Sequence, residues 1–209
     1  MLKYLSINGG CESVKIIEKS RFITNSNHVE SEEQAKEFIS LITSKYPDAT
    51  HNCYAYISDS IGNYMRFSDD GEPQGTAGMP ILEVIKNKKL TQTAVVVTRY
   101  FGGIKLGAGG LLRAYSGCAA ENLDLVRKVL YEICSESCYT VGYAGVDAAL
   151  RFFNEYGADV INVNYSDEVE FTVAVKKSEE NSFNSEFVNR MNGKLQISKK
   201  REYFFPFKI

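Results

Sequence analysis

Tryptophan is absent from the 209 residues, histidine occurs only twice and proline four times. The five cysteines, at 11, 53, 118, 134 and 138, form no CxxC pair. Cys134 and Cys138 lie four apart, but with so little histidine no second pair of ligands is available, so neither a zinc site nor any other bound metal or cofactor is expected. An odd cysteine count is no disulfide framework, and it points to reduced thiols and a cytoplasmic protein. No apolar run approaches ~20 residues, so neither a transmembrane helix nor a membrane partner is expected. Residues 1–10 lack the apolar core of a signal peptide. A strong charge of either sign is missing too: 24 Lys and Arg stand against 26 Asp and Glu, for a net charge of -2. That excludes a globally basic nucleic-acid binder and leaves room only for a local basic patch. What remains, 44% hydrophobic and 24% charged residues, is an ordinary globular composition. Its length suits one large or two small domains.

The periodicities divide the chain in two. Residues 11–29 alternate and read as a hairpin turning near Lys19-Ser20. Ser31 and Gln34 form a capping box for a helix whose stripe is Ala35, Phe38, Ile39, Ile42 and Tyr46, stopped by Pro47. Asn52–Ile57 and Tyr64–Phe67 read as paired strands. A helix through Ile81, Val84 and Ile85 is expected to be capped by Thr76 or Gly75. Thr93–Thr98 reads as a buried strand. A long helix follows, from about Gly110 to Val129, with Leu112, Tyr115, Ala119, Leu123 and Val126 inward. Beyond it the pattern is strand 131–141, helix 145–156, strands 159–165 and 168–176, helix 179–191 and strand 194–204, with Gly157 and Gly193 ending the helices. This β-α-β-β-α-β order is the ferredoxin-like split motif. The expected fold class is α+β, with domains at 1–130 and 131–209.

Two segments could carry chemistry. Arg99-Tyr100-Phe101-Gly102-Gly103-Ile104-Lys105-Leu106-Gly107-Ala108-Gly109-Gly110 runs from a buried strand into a helix, and Arg113 follows. Backbone amides freed by glycine, a helix N-terminus and the cations Arg99, Lys105 and Arg113 suit a phosphate or nucleic-acid backbone. Tight turning and close strand–helix packing explain the same glycines, and both readings stand at this stage. The segment is no Walker A loop, since no Gly-Lys-Ser/Thr ends it. Tyr100 or Phe101 could stack on a base. The second segment, Arg66-Phe67-Ser68-Asp69-Asp70-Gly71-Glu72, leads to Thr76. Its three carboxylates could bind Mg²⁺ or do acid–base work, but a solvated acidic turn is the favoured reading. His51 and Cys53 share a strand face, but no third group orients them, so a thiol nucleophile is not expected. Lys199-Lys200-Arg201 with Tyr203 reads either as a nucleic-acid edge or as a strand edge protected by charge.

Three blocks together resemble the YigZ/IMPACT family: His51-Asn52-Cys53-Tyr54-Ala55-Tyr56, Ser68-Asp69-Asp70-Gly71-Glu72-Pro73 with Gly75-Thr76-Ala77-Gly78, and Arg99 through Gly107. They occur in the family's order, and the C-terminal half fits its bacterial two-domain form. The resemblance implies an N-terminal domain like the second domain of small-subunit ribosomal protein five. It implies a C-terminal domain similar to those of elongation factor G. Relatives of both kinds handle RNA on the ribosome. Eukaryotic IMPACT proteins are translation regulators carrying an RWD domain, which is not expected here. No catalytic activity is established for the family.

The expectation is therefore a non-enzymatic, RNA- or ribosome-associated regulator of translation that binds phosphate through the glycine-rich loop, with a translation factor or other protein as a further partner. The alternatives are a Mg-dependent enzyme acting on a nucleotide or other phosphorylated small molecule, and a protein-interaction adaptor. The expected binding residues are His51, Arg66, Asp69, Asp70, Glu72, Thr76, Arg99, Tyr100, Gly102, Gly103, Lys105, Gly107, Gly109, Gly110 and Arg113. His51, Arg66, Asp69, Asp70, Arg99 and Lys105 are expected to line one pocket, and Arg99→Ala to leave stability nearly unchanged.

Overall fold

The computed structural model describes residues 3–208; Met1, Leu2 and Ile209, which begin and end the expected domain ranges, lie outside the described residues. In chain order the elements are β1 (Lys3–Ile7), β2 (Cys11–Ile17), β3 (Ser20–His28), α1 (Glu32–Lys45), β4 (His51–Ile57), β5 (Met65–Ser68), α2 (Gly78–Asn87), β6 (Thr93–Tyr100) and α3 (Gly107–Leu125). Then come β7 (Lys128–Val141), α4 (Val146–Tyr156), β8 (Asp159–Tyr165), β9 (Val169–Lys176), α5 (Glu180–Arg190) and β10 (Gln196–Lys208). One compact unit covers Tyr4–Leu130 and the other Tyr131–Phe207.

The first unit is built on an antiparallel sheet of order β2-β3-β6-β4-β5. Glu18 and Lys19 both take positive φ, 44° and 62°, the backbone of a two-residue hairpin turn whose twist matches the strands. At the start of α1 the Gln34 amide donates to Ser31 Oγ, 3.3 Å, while the Gln34 side chain accepts from the Glu30 amide, 2.8 Å. This is a capping box displaced by one residue at its return bond.

Alternation along the strands gives the sheet two different faces. Ala94 and Tyr56 pack with Ala35 of α1 on one face. Val95, Val97, Cys53 and Ala55 pack under Ile81 of α2 and Tyr115 of α3 on the other.

Two helices depart from the sequence reading. α2 has no cap from Thr76 or Gly75: its N-cap is Ala77, which makes no side-chain bond. A carboxylate from outside the helix does the work, as described below. α3 starts three residues early and ends at Leu125, because Val126 is already extended and Lys128 begins β7. Its inner stripe is Leu111, Ala114, Tyr115, Cys118, Ala119, Asn122 and Leu123, and Leu112 is exposed. Asn122 moves the stripe. Its side-chain amide donates to the Cys11 and Thr24 carbonyls and to Ser13 Oγ, so a polar residue belongs to the buried face.

The second unit has the β-α-β-β-α-β order. β9 lies between β7 and β8, antiparallel to both, and β10 also pairs with β7. Phe152 and Phe153 of α4 and Phe183 and Phe187 of α5 pack on Tyr139 and Phe171 of the sheet. Each such fully buried ring contributes ~1.5–3 kcal/mol. The class is α+β with two antiparallel sheets, and among the described residues no helix is long and apolar enough to cross a membrane.

Candidate functional site

The site grows from one register pair. β4 and β6 place His51 opposite Arg99, and β3 places Phe22 on the other side of Arg99. All three point to the face that carries α2 and α3. Arg99 is 5% exposed. Its Nη1 donates to Glu72 Oε1 at 2.6 Å, and its Nη2 donates to Ser20 Oγ at 3.2 Å. The guanidinium lies 5.5 Å from the Phe22 ring centroid and 5.4 Å from that of Phe101. From α3, the Tyr115 hydroxyl donates to the same Glu72 Oε1 at 2.7 Å, and His51 Nε2 stands 4.0 Å from Glu72 Oε2. Glu72, itself buried, is thus the hub joining β6, α3 and β4.

The turn before Glu72 is not a free acidic loop. The Asp69 carboxylate accepts from the Gly75, Ala77 and Gly78 amides at 2.8, 3.0 and 2.8 Å. It caps α2 from outside, next to the helix's positive end. The Asp70 carboxylate accepts from the Asn52 amide at 2.6 Å, and the His51 Nδ1–H donates to the Asp70 carbonyl at 2.7 Å. Cys53 Sγ donates to the Asp69 carbonyl at 2.9 Å. Burial pushes both the Cys53 thiol and the Tyr115 phenol far above their ordinary range, so both remain proton donors. With its carboxylates spent on backbone amides, the turn braces the fold. Among the described residues no three His, Cys, Asp or Glu side chains gather into a metal site.

The single pocket expected for six residues does not form. Arg99 and Lys105 do share a cavity of about 320 Å³ at the start of α3, together with Glu72, Phe101, Gly107 and Ala108. Arg66 lies elsewhere: it pairs in register with Tyr56, on the α1 face, and lines a separate groove with Glu32, Lys36 and Tyr54. Period two in the strands separates it from His51 and Arg99. Asp69 and Asp70 are turned into their amide bonds and His51 onto the Asp70 carbonyl.

The remaining expected residues divide by role. Thr76 is buried, its hydroxyl donating to the Pro73 carbonyl at 2.6 Å. Tyr100 alternates to the face opposite Arg99, donates to Asp48 at 2.9 Å and carries Arg21 5.9 Å above its ring centroid. Gly102 lies against the hairpin turn, where a Cβ would come within 2.0 Å of the Lys19 backbone. Gly103 and Gly107 take φ of 87° and 70°, and Gly109 and Gly110 fall in the first turn of α3. Lys105 and Arg113 are exposed and line a second cavity beside Glu18. Ser20 and Tyr115 were not foreseen as site residues. A tyrosine on an apolar helix face is the signal for Tyr115, since a buried phenol needs an acceptor. At the C-terminus Lys199 pairs with Glu202 and Arg201 with Glu136 Oε2 at 3.0 Å, and the Lys200 ammonium donates to Thr172 Oγ1 at 2.9 Å. These cations secure β10.

The chain is thus an α+β protein of two antiparallel sheets whose first unit carries a buried Arg–Glu–Tyr hub. The chain belongs to the IMPACT family: residues 18–123 match the Impact N-terminal domain. Residues 140–194 match a domain of unknown function (DUF1949). It is 41% identical to the IMPACT family member YvyE of Bacillus subtilis (strain 168), covering 93% of this chain and 89% of that protein. It is 34% identical to the IMPACT family member YigZ of Escherichia coli (strain K12), over 88% and 91% of the two chains. A solved structure, described as the crystal structure of an hypothetical protein, matches with a TM-score of 0.63 and 30% identity over 96% of this chain and 98% of that one.

Proposed function

We propose that the protein is a non-catalytic module that binds RNA, including RNA of the ribosome, and modulates translation, gripping phosphates around the glycine-rich turn. One observation carries the reading. Lys19, Lys105 and Arg113 are exposed around that turn, and Arg21 is exposed over Tyr100 on the other face of the sheet. Among the described residues none of the four forms an ion pair, whereas Lys15 on the same hairpin is held by Glu121. The resemblance to ribosomal RNA-handling domains agrees with it. Cations left without an ion pair release counterions when a polyanion docks, so affinity falls steeply with salt. Asp69 and Asp70, two of the three carboxylates that the magnesium-enzyme alternative relies on, accept backbone amides, and this favours the RNA reading over it.

Filter binding to single-stranded RNA across a salt series, with ribosome co-sedimentation, tests the proposal. Lys19→Ala, Arg21→Ala and Arg113→Ala are each expected to lower the log–log salt slope by about 1. No binding at low salt in either assay, or an unchanged slope in the triple variant, sinks it.

A further inference from the structure

β5 is the last strand of its sheet and pairs only with β4. The Ser58 amide donates to the Tyr64 carbonyl at 3.0 Å, extending the register of Ile57 and Met65. Antiparallel alternation then turns the backbone of Arg66 and Ser68 toward β4, and the N–H and C=O groups of Met65 and Phe67 outward. Among the described residues no other strand meets that edge. Only Arg66 Nη1 reaches it, donating to the Met65 carbonyl at 3.0 Å. Proline and lysine, the usual guards of a sheet edge, are missing from Met65–Ser68.

A groove opens on each side of this strand. On the α1 face a cavity of about 420 Å³ is lined by Lys36, Tyr54 and Tyr56. On the α2 face a cavity of about 330 Å³ is lined by Met65, Met79 and Leu82. Arg66 and Phe67 line both. An added strand sends successive side chains to opposite faces, so its alternate residues would enter the two grooves in turn.

The grooves suit different side chains. Met65, Phe67, Met79 and Leu82 give the α2-face groove an apolar floor, and its Glu83 and Lys86 neutralise each other at 2.8 Å. On the α1 face Lys36 is paired with Glu32 at 2.9 Å. Arg66 is exposed and, among the described residues, makes no ion pair. Its unbalanced guanidinium is complementary to a carboxylate. A carboxylate that draws it away also releases the Met65 carbonyl for an incoming amide.

We infer that β5 is a docking edge for an extended segment of a protein partner in which acidic and apolar side chains alternate, added to the sheet as a further strand. The acids meet Arg66 on the α1 face, and the apolar side chains fill the groove between Met65 and Met79 on the other. Main-chain bonds to Met65 and Phe67 supply affinity, and the two grooves supply selectivity. The docking edge goes beyond the RNA-binding reading, which uses none of these residues.

Fluorescence anisotropy on the full chain tests it with a short, capped and labelled peptide alternating glutamate and valine. The controls are its lysine–valine counterpart and two glutamate–valine peptides, one N-methylated on every glutamate and the other on every valine. The glutamate–valine peptide is expected to bind and the lysine–valine peptide not to. Only one edge of an added strand bonds to β5, so one methylated peptide should lose binding and the other keep it. Arg66→Glu should weaken the glutamate–valine peptide at least about tenfold and admit the lysine–valine peptide. Its melting temperature and RNA binding should match the parent's, since the side chain is exposed and lies away from the glycine-rich turn. Failure of the glutamate–valine peptide to bind, equal binding of both methylated peptides, or parent-like binding by Arg66→Glu refutes the docking edge. A dimer in sedimentation that Phe67→Lys dissociates, with no peptide bound, assigns the edge to a second copy of the chain and also overturns it. Peptide binding without any RNA binding removes the other reading alone.

Discussion

Arg99 and Glu72 form an ion pair of 2.6 Å in which neither side chain is more than 5% exposed. The sequence reading expected Arg99→Ala to spare stability, and burial reverses that. Removing one partner strands a charge in the core, at a cost of ~3–5 kcal/mol, whereas removing both leaves no stranded charge. Urea denaturation should show Arg99→Ala and Glu72→Ala each strongly destabilised, with Arg99→Met/Glu72→Leu closer to the parent than the sum of the singles. Additive losses would contradict the pairing.

Asp69 is the next place where a surface-like residue carries the fold. One carboxylate holding three amides at and before the head of α2, those of Gly75, Ala77 and Gly78, sits at the upper end of capping effects, so Asp69→Ala is expected to cost about 2 kcal/mol. Asp70→Ala, which frees a single amide, should cost less. Guanidinium titrations of the two variants provide the comparison, and an equal loss would remove Asp69 from its role as a cap.

Thiol chemistry offers a third test. Burial raises the Cys118 thiol to about 11 and the Cys53 thiol further, and Cys134 is also pushed up by burial. Cys11 alone among the five is only half-buried. With an aromatic disulfide reagent at pH 8, the native protein should release one equivalent quickly and the other four only on unfolding. Rapid reaction of Cys53 would reopen a nucleophilic role.

The pH dependence has a defined direction at His28. Burial lowers its pKa below the ordinary histidine value, against the opposing pull of Glu30. The unfolded chain therefore takes up the proton first. Stability is retained above about pH 6.5 and falls as the pH drops from there toward the folded-state value. His28→Gln should flatten this part of the stability curve between pH 7.5 and 5.5, measured by chemical unfolding at each pH. An undiminished slope in the variant would assign the loss to other groups.

The sequence made most elements legible because their signals are local. Glu18 and Lys19 turn a hairpin, Ser31 starts a helix, and Gly157 ends one with φ of 77°. The aromatic core of the second unit follows from helical and strand spacing. The failures are non-local. The cap of α2 arrives from Asp69, eight residues before its N-cap Ala77, and the inner stripe of α3 contains Asn122, whose partners lie about a hundred residues earlier. Arg66 was grouped with His51 by motif proximity, but strand parity sends the two to opposite faces. Glu72 gave no sign of being the hub, since only the folded chain brings Arg99 and Tyr115 to it.

The inward turn of Asp69 and Glu72 has a consequence for encounter rates. The Glu72 charge is cancelled by Arg99 inside the fold and the Asp69 carboxylate is turned to the amides at the head of α2, so the exposed charge beside the glycine-rich turn is carried largely by Lys19, Lys105 and Arg113. A chain of net charge -2 can then present a locally attractive edge to a diffusing polyanion. Steering of this kind acts before any contact is made, on the association rate, and fades as the Debye length shortens to ~8 Å at physiological salt.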